Sequence, residues 1–277
     1  MNLLVCGSGS SEAIPALFCA CRYCEEAWRR GGKDRRSRTA YMLGEEIKID
    51  FGPDVLYHRE KYNLRFDLLR HIFITHPHKD HFAPVQLLYH YYRTEEPGDA
   101  VLDLTLHGSA EVLEQMRTAP TLLPESFKLK MDEVFCHRPI VLQQSGIVFN
   151  AIPANHKCPG AVNYIIQLPN NFTIFIGTDS ALFLPETWEA LAQYRFDLMI
   201  LDATAGKLVI QGGSHMNAEQ ALQTVQKIRA QGMAKENCRF LVNHFAHCGK
   251  MLHEDLESFF LPHGIEPAFD GMLIPLQ

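Results

Sequence analysis

The chain has no apolar stretch approaching the roughly 20 residues that a membrane-spanning helix needs, although 47% of its 277 residues are hydrophobic. Nor does it carry an excess of positive charge: 26 lysines and arginines face 32 acids, a formal net charge of -6. That balance argues against a general nucleic-acid binder and leaves room only for a local basic site. There is no tandem repeat, low-complexity tract or domain linker. The stretch Met1-Asn2-Leu3-Leu4-Val5-Cys6 contains no basic n-region and soon reaches Gly-Ser-Gly-Ser-Ser. It reads as a first strand and turn rather than an export signal. These absences predict a cytoplasmic protein with no membrane contact, long enough for a sizeable core. We read residues 1–277 as a single domain. A homodimer stays open.

What the chain does have is concentrated metal-binding chemistry. Residues 75–81 read Thr-His-Pro-His-Lys-Asp-His, directly after the apolar run Ile72-Phe73-Ile74. Histidine is the commonest neutral nitrogen ligand, and aspartate is its natural oxygen partner and bridge. His76 and His78, two apart, can turn toward one ion, and Asp80 and His81 toward a second. A chance surface run of histidines is the bland alternative, and the strand context weighs against it.

Strand-like runs recur at 3–6, 47–50, 71–75, 102–107, 147–153, 163–168, 172–177, 198–202 and 239–243. Helical patterns lie at 84–92, 110–117, 185–194, 217–231 and 253–260. The connections between 147–153, 163–168 and 172–177 are too short for helical crossovers, so these three predict an antiparallel meander. The mixture is α/β (α+β), with stacked sheets covered by helices. Residues 118–146 are the least regular part and read as an insertion or flap.

Further donors stand just past other strands: His156 in Ala-Asn-His-Lys, Asp179 in Gly-Thr-Asp-Ser and His244 in Val-Asn-His-Phe. This ordered set resembles the metallo-β-lactamase superfamily, from Leu3 to Phe269-Asp270-Gly271-Met272. The resemblance implies a four-layer αββα sandwich. It also implies that His76, His78 and His156 hold one metal, and Asp80, His81 and His244 another, with Asp179 bridging. Asp50 in Ile-Lys-Ile-Asp-Phe-Gly matches an aspartate that supports the metal loop without ligating. Asp202 is either a similar support or a strand-end turn residue. Two divalent ions about 3.5–4 Å apart can share a bridging water and make it hydroxide near neutral pH. Nitrogen and oxygen donors suit zinc, manganese or iron.

A second cluster, Cys19-Ala20-Cys21-Arg22-Tyr23-Cys24, has the C-x-C-x-x-C spacing of a tetrahedral zinc site short of its fourth donor. In the PhnP-like phosphodiesterase branch of the superfamily, which this cluster resembles, a histidine three residues after the last active-site histidine completes it. That position is His247. Cys19, Cys21, Cys24 and His247 are therefore assigned to a structural zinc that orders a loop at about 17–26. A reactive thiol or disulfide is the competing reading. Cys248 lies adjacent and is not assigned. Cys6, Cys136, Cys158 and Cys238 read as core or loop residues.

His215, in Gly-Gly-Ser-His-Met-Asn just before a helix, matches a leaving-group histidine of that branch. With Asp80 it is the candidate catalytic residue. The competing reading is an exposed loop histidine. Six basic residues between Arg29 and Arg38 read mostly as a solvated loop, with one arginine left to pack or bind an anion. His58, His71, His90, His107, His137, His253 and His263 belong to no constellation. The resulting expectation is a dinuclear metal-dependent hydrolase of a small, cyclic or open, phosphodiester. Acyl hydrolysis of a lactone, thioester or β-lactam is an alternative, as are iron-dependent oxidation on the same scaffold and a noncatalytic metal-stabilised binding protein.

Overall fold

Many strands carry apolar residues on both faces, and such strands need cover on two sides. The computed structural model describes residues 1–92, 103–119, 129–210 and 212–277. Among them, two seven-stranded sheets pack face to face, with helices on both outer sides. The first sheet contains β1 (Asn2–Gly7), β2 (Ala40–Leu43), β3 (Ile47–Ile49), β4 (His71–Phe73), β5 (Thr105–Gly108) and β6 (Lys130–Glu133) in that order. The second runs β7 (Ile140–Leu142), β8 (Ile147–Pro153), β9 (Val162–Gln167), β10 (Thr173–Gly177), β11 (Phe196–Asp202), β12 (Ala234–Asn243) and β13 (Ile265–Pro267). A last strand, β14 (Met272–Pro275), returns to pair with β1.

The period of two along each strand builds the layers. Leu3, Val5, Ile49 and Phe73 meet Phe149, Ile174, Ile176, Leu198 and Ile200 between the sheets. Phe73 stacks on Phe149 with ring centroids 3.7 Å apart. The alternate residues Phe175, Met199 and Leu201 face outward, under helices Pro185–Leu191, Ala218–Ala230 and His253–Phe260. On the other side Met42, Ile72 and Leu106 lie under helices Val55–Tyr62 and Ala110–Thr118. This is the αββα order.

The meander forms as expected, with β8, β9 and β10 antiparallel. Helix Ala218–Ala230 starts where its sequence says. Asn217 accepts from the Gln220 amide and Gln220 accepts from the Asn217 amide, a reciprocal cap. Several expectations change. Residues 118–146 are not simply an insertion, because β6 and β7 within them are edge strands of the two sheets. Lys130–Glu133 is mostly exposed, so no apolar alternation marks it. Residues 120–128 lie outside the described set, as does Leu102; the strand expected from there begins at Thr105. The 84–92 helix is one α-turn, Pro84–Leu87, continued as 3-10 helix. No helix among the described residues is long and apolar enough to cross a membrane.

Three buried histidines away from the strand ends make the fold acid-sensitive. Burial holds His58 and His107 well below the ordinary histidine range, His107 at about 4, and pulls His253 down likewise. The unfolded chain binds these protons from pH 6.5 downward and the folded chain does not. The contribution of these three histidines to stability is therefore complete above 6.5 and falls as pH drops toward 4. His107→Asn is expected to reduce the loss between pH 7 and 4.5 by ~2 kcal/mol, read from urea unfolding at both pH values.

Candidate functional site

Strands β3 and β4 run parallel, as do β10, β11 and β12, and β8 points with β10 because two antiparallel steps separate them. Their C-terminal ends carry Asp50, the 75–81 loop, His156, Asp179, Asp202 and His244. Three of these residues, Asp50, Asp179 and His244, have positive φ angles of 61°, 53° and 65°. Aspartate and histidine tolerate this left-handed region better than most residues, yet it costs of order 1–3 kcal/mol and gathers at functional sites. The bend turns each side chain off its strand at the same edge of the sandwich.

There the predicted donors converge. His78 Nδ1 lies 3.1 Å from both His76 Nε2 and His156 Nε2. His81 Nε2 lies 3.2 Å from Asp80 Oδ2 and 3.4 Å from His244 Nε2. Asp179 sits between the groups. Its Oδ2 is 3.3 Å from His76 Nε2 and 3.2 Å from His81 Nε2, and its Oδ1 is 2.7 Å from His244 Nε2. Donors about 2.0–2.1 Å from one tetrahedral ion stand about 3.3–3.4 Å apart. Most of these separations approach that edge length. Asp179 thus turns both carboxylate oxygens toward imidazole nitrogens of the two groups, as fits a carboxylate placed between two cations. The two groups, His76-His78-His156-Asp179 and Asp80-His81-Asp179-His244, share one carboxylate and fit a dinuclear site.

The outer partners explain the orientation. His76 Nδ1 is 3.0 Å from Thr75 Oγ1, and His81 Nδ1 is 2.6 Å from Asp50 Oδ2. His156 Nδ1 donates to the Ser214 carbonyl at 3.1 Å, and His244 Nδ1 is 2.8 Å from Thr204 Oγ1. In all four rings Nδ1 is engaged behind, which leaves Nε2 facing the cluster. Asp50 stands behind His81, at the place where the sequence reading puts a supporting aspartate. Thr75, Thr204 and the Ser214 carbonyl were not foreseen, because threonine and backbone groups carry no metal signature.

Electrostatics keeps the donors in usable form. Burial pushes the Asp179 carboxyl up, but the His244 and His81 rings hold it well below the usual range. Asp80 is likewise depressed by His81 and His244 against its burial. His244 rises to about 10 beside Asp179 although burial opposes it, and His81 is raised in the same way. A bound cation would take over the charge those two rings otherwise carry as protons.

Asp202 proves to be more than a turn residue. Its Oδ1 accepts from the Thr204 and Met216 amides, and its Oδ2 is 2.9 Å from His215 Nδ1. His215 therefore presents Nε2, with its ring centroid 5.3 Å from both His156 and His244. The ring is anchored, not loose in solvent, at 29% side-chain exposure.

Packing of the 75–81 loop depends on a glycine. Phe51 donates to the His81 carbonyl and accepts from Ala83. A Cβ on Gly52 would stand 2.0 Å from the Asp80 carbonyl oxygen. Gly52→Ala is expected to displace Asp80 and His81 and to destabilise the fold by about 1–3 kcal/mol. Urea unfolding and zinc titration of the variant read both effects.

At the N-terminal cluster, Cys19 Sγ and Cys21 Sγ lie 3.5 and 3.6 Å from His247 Nδ1. A nitrogen and a sulfur on one tetrahedral zinc stand about 3.6 Å apart. Cys24 completes the group, and exposed Cys248 is outside it. The His247 hydrogen bond takes the Cys21 thiol down to about 6 against burial. All eight cysteines are free thiols. Of the basic run, Arg29 and Arg30 pair with Glu26, Lys33 with Glu257 and Arg38 with Asp54. Arg36 is buried.

A family profile described as a β-lactamase superfamily domain matches residues 46–235. A solved diphosphatase of the PhnP family is 21% identical, with a TM-score of 0.77 over 100% of this chain and 98% of that one. Zinc-bound PqqB from Methylobacterium extorquens is 15% identical, with a TM-score of 0.75 over 100% of both chains. Human tRNase Z, short form, is 16% identical, with a TM-score of 0.63 over 100% of both. A curated octanoyltransferase of Porphyromonas gingivalis is 24% identical over 280 residues, 98% of this chain and 51% of the relative. The chain thus spans about half the length of that relative. The profile covers well over half of the chain and reaches from Asp50 to His215, and the two packed sheets continue past its limits in the same architecture: the protein belongs to the β-lactamase superfamily and has the metallo-β-lactamase fold.

Proposed function

We propose that this chain is a dinuclear metal-dependent hydrolase that cleaves a small phosphodiester. His76, His78 and His156 would hold one divalent ion and Asp80, His81 and His244 the other, with Asp179 between them. Ions bound there supply Lewis acidity, which acidifies water and neutralises charge on the attacked phosphoryl group. The nitrogen and oxygen donors accept zinc, manganese or iron. Asp50, Thr75, Thr204 and the Ser214 carbonyl keep the four rings turned inward.

The observation that carries the phosphodiester reading is His215 on Asp202. An alkoxide leaving group needs a proton, and Asp202 holds the Nδ1–H so that Nε2 can give one up. Asp202 raises the proton affinity of His215 although burial opposes it. The ring thus retains its second proton nearer to neutral pH, where a donor is useful. The PhnP-family diphosphatase and the tRNase among the similar structures support phosphate chemistry. A second reading, acyl-ester or thioester hydrolysis, is favoured by the octanoyltransferase relative, whose name describes a chain twice as long. Metal-loaded protein given bis(p-nitrophenyl) phosphate, a ribose cyclic phosphate, a lactone and an octanoyl thioester separates them. Turnover of the phosphodiesters is expected; turnover of the acyl substrates alone would overturn the proposal.

Cys19, Cys21, Cys24 and His247 are proposed to hold a structural zinc. Cys21→Ser is expected to lower the metal content by one ion per chain and to lower the melting temperature, read by elemental analysis and thermal unfolding. An unchanged metal content would remove the assignment.

A further inference from the structure

Arg36, one of six basic residues in the 29–38 run, is the one whose role differs from its neighbours. It is 3% exposed. Its Nη1 donates to Ser8 Oγ at 2.8 Å and to the Ala268 carbonyl at 2.7 Å, and its Nη2 is 2.9 Å from His253 Nδ1. The guanidinium lies 4.3 Å over the ring of Phe245. Phe245 stands between His244, a donor of the dinuclear group, and His247, a donor of the cysteine group. Its amide donates to the Ser8 carbonyl at 3.0 Å, and its carbonyl accepts from Ser10 at 2.9 Å. The backbone of Arg36 pairs in both directions with Ile14, two residues before the amide of Ala16 that donates to Cys24 Sγ. One buried cation therefore touches the segment holding His244 and His247 and is paired to the turn segment that leads into the cysteines.

We infer that Arg36 is a positioning residue for both donor clusters, holding Phe245 so that His244 and His247 reach their groups together. The inference rests on the metal-binding reading above. The physical basis is a desolvated cation on an aromatic face, stronger than its exposed equivalent, with its hydrogen-bonding groups directed at three separate segments. Lysine lacks the planar fork and can reach only part of this set. Asp34 and Asp270 supply the compensating charge nearby without binding Arg36 directly. Asp34 accepts from the His253 amide, and Asp270 accepts from Ser8 and Ser37.

The test is Co²⁺ titration of metal-stripped protein, followed by absorbance. Thiolate-to-cobalt charge-transfer bands report the cysteine cluster, and the visible d–d bands, to which both clusters contribute, report the histidine–aspartate cluster when the same titration is run in a Cys19→Ser, Cys21→Ser, Cys24→Ser background. Arg36→Met is expected to weaken Co²⁺ binding at both clusters, by roughly 10- to 100-fold as for other groups that orient metal ligands. Arg36→Lys should recover part of the loss. Phe245→Leu keeps Arg36 and removes only the ring, and should weaken both clusters by a smaller factor. It decides the matter if Arg36→Met does not fold. A lower melting temperature with cobalt affinities and spectra unchanged, or weakening at one cluster alone, would overturn the inference. Wild-type protein that takes up no Co²⁺ would overturn the metal reading itself, which is a separate result.

Discussion

Asp179→Asn is expected to cost at least about 10³-fold in kcat/KM, together with the loss of one or both active-site ions. Asparagine keeps the shape of the side chain but removes the charge shared by the two donor groups. Asp179 is the contact common to them, through Oδ2 to His76 and His81 and Oδ1 to His244. A catalytic ion contributes several kcal/mol of charge stabilisation, and each 1.36 kcal/mol is tenfold in rate. Losing even ~4 kcal/mol gives the stated factor. Elemental analysis and steady-state kinetics on the same preparation check it. Full metal content with wild-type turnover would show that Asp179 neither bridges nor supports the centre.

The second large effect concerns His215. His215→Ala is expected to reduce phosphodiester turnover by about 10²- to 10⁴-fold when the leaving group is an alkoxide, the range of general acid catalysis. With p-nitrophenolate, which leaves without a proton, the loss should shrink to a few-fold. Asp202→Asn should fall between, because the ring loses its charged partner at 2.9 Å while keeping its place. An equal loss with good and poor leaving groups would mean that His215 positions the substrate or the loop and transfers no proton. Comparing the two leaving groups therefore separates chemistry from a packing defect, which would lower both rates alike.

Both predictions use residues whose chemistry can be read in the chain, yet the reasons they act together cannot. The 75–81 loop, with histidines at two-residue spacing after an apolar run, announces a metal site because few other roles ask for that composition. His156, Asp179 and His244 carry less information singly and gain meaning from their shared position just past a strand. The three-cysteine spacing is equally plain. Asp202 is harder, since an aspartate at a strand end is often only a turn former. Its distance to His215 decides the question. Arg36 was hidden in a run that otherwise behaves as surface charge. β2 and β6 were missed for opposite reasons. All four residues of β2 are buried and show no alternation, and β6 is a mostly exposed edge.

What the sequence determined by itself is the donor inventory, the meander and a stack of sheets covered by helices, because donor type and apolar periodicity are local properties of the chain; the four-layer αββα order followed from the family resemblance. What the tertiary structure decided is which atoms meet. Nε2 or Nδ1 of each ring faces the cluster according to a partner from another segment, such as Thr204 behind His244 or Ser214 behind His156. Asp50, Asp179 and His244 reach one edge through left-handed bends that the fold must stabilise. These relations depend on two sheets closing with their strand ends aligned, and that alignment is set by the packing between Phe73, Phe149 and their neighbours rather than by any one motif.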